Sequence, residues 1–162
     1  MSPAWDASIH QIWISPENNF RGRHGQEALQ NPICAAEEIV CIAGKGLLGD
    51  RYFDFKPDYK GQITFFDEAV RLALMNHLHL PELCASLFRR NVLVSGVDLS
   101  QWIGRRFSLQ GVEFEGSEEC APCYWMDQAI APGAEAFLKE HCRGGLRARI
   151  LTDGVLRVNA RG

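Results

Sequence analysis

Two cysteines separated by two residues are the sharpest chemical feature of the sequence: Cys120 and Cys123, in the segment Cys-Ala-Pro-Cys. Such a pair can form half of a zinc site, act as a redox pair, or present one thiolate that binds a metal or accepts sulfur. A second pair at zinc spacing is absent, and the redox motif normally opens a helix after a strand of an α/β fold. Here the pair follows a predicted β-hairpin, and the adjacent Glu118 and Glu119 disfavour a redox thiolate. One thiolate that acts as a metal ligand or sulfur acceptor therefore stays open, with two unreactive cysteines as the alternative.

A glycine-rich turn presents the first candidate anion ligand. The segment GLLGDRY at residues 46–52 contains Arg51 directly after Asp50. The planar guanidinium of arginine suits the binding of an anion inside a pocket. The alternative is a surface turn with a local ion pair of little energetic value.

A second group of polar residues directly precedes a predicted strand at 92–95. Arg89 and Arg90 are followed by Asn91, whose amide both donates and accepts hydrogen bonds. Two arginines and an amide at the start of a strand are suited to binding a phosphate or a polar ring. A solvated charge pair is the alternative interpretation.

Charge and composition limit the class of protein. The chain has 162 residues, 46% of them hydrophobic, with 17 basic and 20 acidic residues and a net charge of −3. A negative net charge argues against a general nucleic-acid binder, and no apolar run reaches the roughly 18 residues of a membrane helix. Five arginines follow residue 142, at 143, 147, 149, 157 and 161, and they predict a local anion site despite the negative total.

The beginning of the sequence and the cysteine usage predict a reducing compartment. Residues 1–14 carry Asp6 and no basic cluster before an apolar stretch, so no export signal is predicted and the cytoplasm is the expected location. No essential disulfide is therefore expected among the six cysteines. Cys34, Cys41 and Cys84 stand among apolar residues and are expected to be buried.

The elements that must position these residues are mostly short strands. Strands are predicted at 8–14, 38–43, 62–66 and 91–95, with hairpins joining 107–109 to 112–115 and 148–152 to 155–158. One helix is predicted from 66 to 78 with Asp67 as N-cap, and another from 132 to 142. The polar stretch 15–32 is predicted to be a mobile loop. The pattern predicts one β-rich domain with flanking helices, a barrel or a curled sheet, with its core between residues 8 and 158.

In this order the segments resemble the MOSC family, the module found at the C-terminal end of molybdenum-cofactor sulfurases. The resemblance is carried by GLLGDRY (46–52), QITFF (62–66), RNVLVSGVDL (90–99), GRRF (104–107), Pro122-Cys123 and CRGGLRAR (142–149). It implies a MOSC-type β-barrel, here a curled mixed sheet, that binds the molybdenum cofactor, an anionic pterin phosphate. It implies Cys123 as the catalytic thiol or molybdenum ligand, and Arg51, Arg89, Arg90 and Asn91 as cofactor-binding residues.

The resemblance leaves three functions open. The first is a stand-alone sulfur carrier that receives sulfur on Cys123 from a desulfurase whose pyridoxal phosphate stays on that partner. The second is a small oxidoreductase that reduces N-hydroxylated compounds with electrons from a partner protein. The third is a non-enzymatic interaction domain. The sequence departs from the reductases at Asn18 and Asn19, where they carry a lysine and a serine, so one positive contact to the cofactor phosphate is expected to be missing.

Overall fold

The computed structural model describes residues 3–15, 34–121, 125–140 and 143–159. Within these ranges the chain is mainly β, as the sequence predicts. A seven-stranded sheet contains β1 (Ser8–Ile14), β2 (Cys34–Ala36), β5 (Ile63–Asp67), β6 (Val92–Ser95), β7 (Arg106–Leu109), β8 (Val112–Glu119) and β9 (Leu146–Ile150). A three-stranded sheet contains β3 (Glu38–Ile42), β4 (Gly46–Leu47) and β10 (Gly154–Arg157). The helices are α1 (Glu68–His77), α2 (Trp125–Ala129) and α3 (Ala134–Glu140), with short 3₁₀ helices at Ala85–Phe88 and Leu99–Trp102.

The larger sheet is mixed, in the order β2-β1-β6-β5-β9-β8-β7. Only β5 and β6 run parallel, and the other neighbours are antiparallel. Its edge strands β2 and β7 are not hydrogen bonded to each other in the described ranges. An isolated bridge joins Ala4 to Ser108 of β7, so the segment before β1 reaches the opposite edge of the sheet. The mixed sheet is confirmed, whereas its closure into a barrel is not.

The hydrophobic core has two parts because side chains alternate across the strands. Phe65 of β5 faces a cluster that joins residues of both sheets, including Ile39 and Leu156 of the smaller sheet. Its neighbour Phe66 faces the opposite side, where α1, α2, α3 and the 3₁₀ helix Ala85–Phe88 pack on the sheet. One strand therefore connects the sheet core to the helical layer.

Helix α1 begins where the sequence predicts. The carboxylate of Asp67 accepts a hydrogen bond of 2.9 Å from the backbone N–H of Ala69, and Glu68 adds a negative charge to the first turn. Both features stabilise the N-terminus of the helix, one through the hydrogen bond and both through their negative charge near the positive end of the helix dipole. The second predicted helix begins at Ala134, two residues later than expected, and its predicted end at 141–142 lies outside the described residues, while α2 was not predicted.

Two sequence predictions are wrong. The predicted hairpin at Asp153-Gly154 is absent, because β10 pairs with β3 rather than with β9, and Asp153 accepts a hydrogen bond of 2.7 Å from the N–H of Ala43. Of the cysteines predicted to be buried, Cys41 is buried, but Cys34 and Cys84 are exposed. The apolar neighbours of those two in sequence do not cover them in space.

The predicted mobile loop and the departure at Asn18 and Asn19 fall on residues outside the described ranges. The four cysteines that are described, Cys34, Cys41, Cys84 and Cys120, are free. In the described part of the chain, no helix has the length and apolar character needed to span a membrane.

Candidate functional site

A cavity of about 300 Å³ brings together residues from distant parts of the chain, between Arg51 and Arg147. We call it the arginine cleft. It is lined by Arg51, Tyr52, Tyr59, Gly61, Thr64, Leu87, Phe88, Arg89, Arg90, Cys120, Ala121, Met126 and Arg147. Three of the four predicted cofactor-binding residues, Arg51, Arg89 and Arg90, are among them.

Arg51 is held at the cleft by the turn that follows β4. The buried carboxylate of Asp50 accepts hydrogen bonds from the backbone N–H groups of Ser15 (2.9 Å) and Tyr52 (3.3 Å), which fixes this turn. The Arg51 side chain is 15% exposed, its Nη1 lies 3.8 Å from Asp50 Oδ1, and its guanidinium carbon lies 4.5 Å from the centre of the Tyr52 ring. Its Nε is buried without a hydrogen-bond partner in the described ranges. A buried donor of this kind favours an acceptor from a ligand.

Arg89 reaches the same cleft from the end of the 3₁₀ helix Ala85–Phe88. Its backbone is left-handed, with φ +57°, a conformation that costs a non-glycine residue about 1–3 kcal/mol. Its Nη2 donates a hydrogen bond of 2.7 Å to Ser15 Oγ. Burial, and after it the positive charge of Arg51, lowers the pKa of Arg89 to about 10. The two guanidinium groups therefore repel each other, and an anion between them would relieve the repulsion.

Arg90 lines the cleft but directs its guanidinium to the backbone. Its Nε donates to the carbonyl of Gly144 and its Nη1 to that of Phe88, both at 2.9 Å. A longer contact of 3.4 Å joins its Nη2 to the carbonyl of Cys120. Its guanidinium is therefore engaged with the protein's own backbone.

Asn91 is buried beside the cleft, in the wall between β1 and β5. Its Oδ1 accepts hydrogen bonds of 2.9 Å from both the N–H and the hydroxyl of Thr64, and its Nδ2 donates to the carbonyl of Trp13 at 3.1 Å. Asn91 is 7% exposed and does not line the arginine cleft. The structure thus shows a connecting role for its amide, and its predicted contact with a cofactor stays a prediction.

Arg147 and Tyr59 line the cleft but were not singled out individually from the sequence. Arg147 lies on β9, forms an ion pair with Glu118 of β8, and its guanidinium carbon lies 5.3 Å from the centre of the Tyr59 ring. Gly61 leaves room for this arginine, since a Cβ there would lie 2.8 Å from Arg147 Nε. The excess of arginines after residue 142 was the available signal, but only the fold distinguishes Arg147 from Arg149, which pairs with Asp58 at 2.8 Å.

The predicted catalytic thiol Cys123 lies outside the described residues. Ala121, directly before the undescribed segment 122–124, and Met126, two residues after it, both line the arginine cleft, as does Cys120. The two glutamates expected to oppose a thiolate are engaged, because Glu118 pairs with Arg147 and Glu119 accepts a hydrogen bond of 3.1 Å from the N–H of Gly144. Their charges are therefore partly compensated near the cysteine segment.

A second cavity of about 450 Å³ lies at the beginning of α1 and is acidic. Asp67, Asp98 and Glu119 line it together with Arg143. Burial is the main cause that raises the pKa of Asp67, and the nearby charge of Asp98 adds to it. Three carboxylates make this cavity unsuitable for an anionic ligand, so the arginine cleft is the candidate site.

Comparisons with known proteins agree with this architecture. The family model described as the MOSC domain matches residues 56–161. A comparison with curated proteins finds no match.

Several crystal structures share the fold at low sequence identity. The YuaD protein of Bacillus subtilis has 17% identity and a TM-score of 0.69, covering 95% of this chain and 94% of that one. A hypothetical protein has 13% identity and a TM-score of 0.68, covering 95% and 64%. YiiM of Escherichia coli has 13% identity and a TM-score of 0.63, covering 94% and 66%. The chain thus spans about two thirds of the length of the last two, and at these identities the likeness establishes the fold alone.

Proposed function

Because the chain belongs to the MOSC domain family, whose model matches residues 56–161, we propose that it binds the molybdenum cofactor in the arginine cleft and handles sulfur or molybdenum through Cys123. The observation that carries this proposal is the convergence of Arg51 and Arg89 on one cavity. Burial and then the charge of Arg51 lower the pKa of Arg89, so the two guanidinium groups form a positively charged site that favours an anion.

The residues present fit the cofactor. Arg51 and Arg89 would hold its phosphate, because the guanidinium fork matches phosphate geometry and Arg51 Nε has a hydrogen bond still to make in the described structure. Tyr52 and Tyr59, whose ring centres are 5.3 Å apart along the cleft wall, would pack against its planar pterin. When bound, the cofactor supplies a molybdenum centre that takes up a sulfur ligand or exchanges oxygen with a substrate.

Cys123 would carry the sulfur. Its thiolate attacks the outer sulfur of a persulfide on a partner cysteine desulfurase, whose own pyridoxal phosphate generates that persulfide. A new sulfur–sulfur bond forms on Cys123, the bond between the partner's two sulfurs breaks, and the partner's cysteine leaves as a thiolate. The positive charge of the arginine cleft would favour the thiolate of a cysteine that faces it. The proposed setting is the cytoplasm, where thiols stay reduced.

The test is the metal and pterin content of the protein purified from a host that makes the cofactor. We expect molybdenum and pterin in near-equal amounts in the wild type and at least about a tenfold loss in Arg51→Gln, since a buried charged hydrogen bond is worth about 1.5–3 kcal/mol. Arg106→Gln is the matched control, because the Arg106 side chain is 67% exposed and lies on β7 away from the cleft.

Three outcomes decide the proposal. Absence of molybdenum and pterin from the wild type would contradict cofactor binding and favour an interaction domain. Equal losses in Arg51→Gln and Arg106→Gln would place the cofactor outside the arginine cleft. The cofactor-loaded protein could also reduce N-hydroxylated compounds with an added electron donor and take no sulfur from a desulfurase. That result would contradict the sulfur-carrier function and support the reductase function.

A further inference from the structure

We propose that Arg90 is a positioning residue, whose guanidinium holds the backbone at Cys120, directly after β8, in the wall of the arginine cleft. The inference deepens the proposed function and rests on it for the role of the cysteine segment. It separates Arg90 from Arg51 and Arg89, which the proposed function assigns to the ligand.

Three backbone carbonyls from separate segments surround the Arg90 side chain. Nε bonds to the oxygen of Gly144 and Nη1 to that of Phe88, each at 2.9 Å, while Nη2 lies 3.4 Å from that of Cys120. These carbonyls belong to the segment before β9, the 3₁₀ helix before Arg89, and the chain just after β8. A single planar group thus connects three separate segments of the chain.

Further hydrogen bonds close the same network. The N–H of Cys120 donates to the carbonyl of Gly145 at 2.7 Å, and the N–H of Gly144 donates to Glu119 Oε2 at 3.1 Å. The chain approaches so closely here that a Cβ at Gly145 would lie 2.6 Å from the oxygen of Phe65, and its φ of +109° suits glycine. The segment that enters the cysteine pair is therefore fixed through its backbone.

The chemistry of arginine explains why this position would need it. The guanidinium presents its N–H groups in a fixed plane, so three carbonyls at different angles can be bonded at once. Lysine has the same charge but places its donors on one flexible nitrogen, which cannot reach three separated oxygens. Charge and geometry can therefore be separated by Arg90→Lys.

The experiment compares Arg90→Lys with wild type, using Arg106→Lys as the control at an exposed arginine. Hydrogen exchange is measured over peptides that cover 116–121 and 143–146, and over the β5–β6 core. Alkylation of Cys120 and Cys123 by iodoacetamide is followed by mass spectrometry, and inorganic molybdate is titrated into the protein. We expect exchange in the two peptides to accelerate at least about tenfold, because a local opening has become easier. Cysteine alkylation should accelerate with it, while core exchange and molybdate affinity change by less than about twofold.

Other results overturn the proposal. If exchange and alkylation are unchanged but molybdate binding weakens, Arg90 is a direct anion ligand. If exchange accelerates equally in the core, its role is general stability. Arg90→Gln is the second variant, and if neither variant gives a cooperative melting transition the positioning role is also rejected. A wild type that binds no cofactor would contradict the proposed function, yet a localised exchange effect would still support the role of Arg90.

Discussion

Arg51 and Arg89 stand 38 positions apart in sequence numbering but line one cavity, and the charge of Arg51 is, after burial, the strongest influence that lowers the pKa of Arg89 to about 10. Each residue is fixed by a different part of the backbone, one by the turn around Asp50 and the other by a left-handed residue after a 3₁₀ helix. Like charges placed together in this way favour an anion between them and add nothing to stability by themselves.

Cys123→Ala should abolish persulfide loading or molybdenum retention and leave the fold intact, whereas Cys120→Ala should do much less. Cys120 is only partly exposed, and its N–H is bonded to Gly145. Sulfur transfer from a cysteine desulfurase supplied with free cysteine is measured by mass spectrometry. Cys41 will not interfere, since burial raises its pKa to about 12.

The two cysteine variants also separate the alternatives. Equal loss in both would favour a dithiol mechanism over a single thiolate. Loss of cooperative melting in Cys123→Ala would indicate a structural cysteine. Full sulfur or molybdenum loading of Cys123→Ala would exclude Cys123 as the carrier.

Asn91→Ala should lower the free energy of unfolding by about 2–3 kcal/mol, because buried partners on Thr64 and Trp13 lose their hydrogen bonds. Urea denaturation measures the change. Asn76→Ala, at an exposed position of α1, should be neutral or slightly stabilising. If Asn91→Ala is as stable as wild type but loses the cofactor, the amide is a ligand contact rather than a connection between strands.

Gly61→Ala should weaken anion binding without unfolding the protein. The new methyl group would lie 2.8 Å from Arg147 Nε and displace that guanidinium, whereas the backbone at Gly61 has no left-handed strain to add. Molybdate titration measures the loss, and Arg147→Gln should show a similar one. Because both changes act on the same group, the double variant should lose little more than either single variant. Fully additive losses would show that Gly61 acts elsewhere.

Asp67→Asn should stabilise the protein at pH 7, and the gain should shrink as the pH falls. Burial raises the pKa of Asp67, so the folded protein holds its proton more tightly than the unfolded chain does. The ionised form therefore costs stability above the raised pKa, and wild type recovers that cost as the pH drops through it. The amide keeps the cap to Ala69, while Asp67→Ala should lose about 1 kcal/mol with the cap. Unfolding free energies between pH 4 and pH 7 provide the check, and a gain that grows on acidification would refute the explanation.

The sequence by itself determined the local elements and the family. Alternation of apolar residues gave β1, β3, β5 and β6 to within about two residues, and Asp67 marked the start of α1, because these signals depend only on near neighbours. Arg51, Arg89 and Arg90 were found from their residue types and their positions beside predicted elements.

Only the tertiary structure decided which of these residues meet. Asp153-Gly154 is a strong local hairpin signal, yet β10 pairs with β3, about 115 positions earlier. The pairing of strands depends on how their side chains pack against residues that are distant in sequence. For the same reason Arg147 joins the arginine cleft while Arg149 pairs with Asp58, and Cys84 is exposed although its sequence neighbours are apolar. The different roles of Arg51, Arg90 and Asn91 likewise became visible only in the tertiary structure, since local sequence does not show which distant segments a side chain contacts.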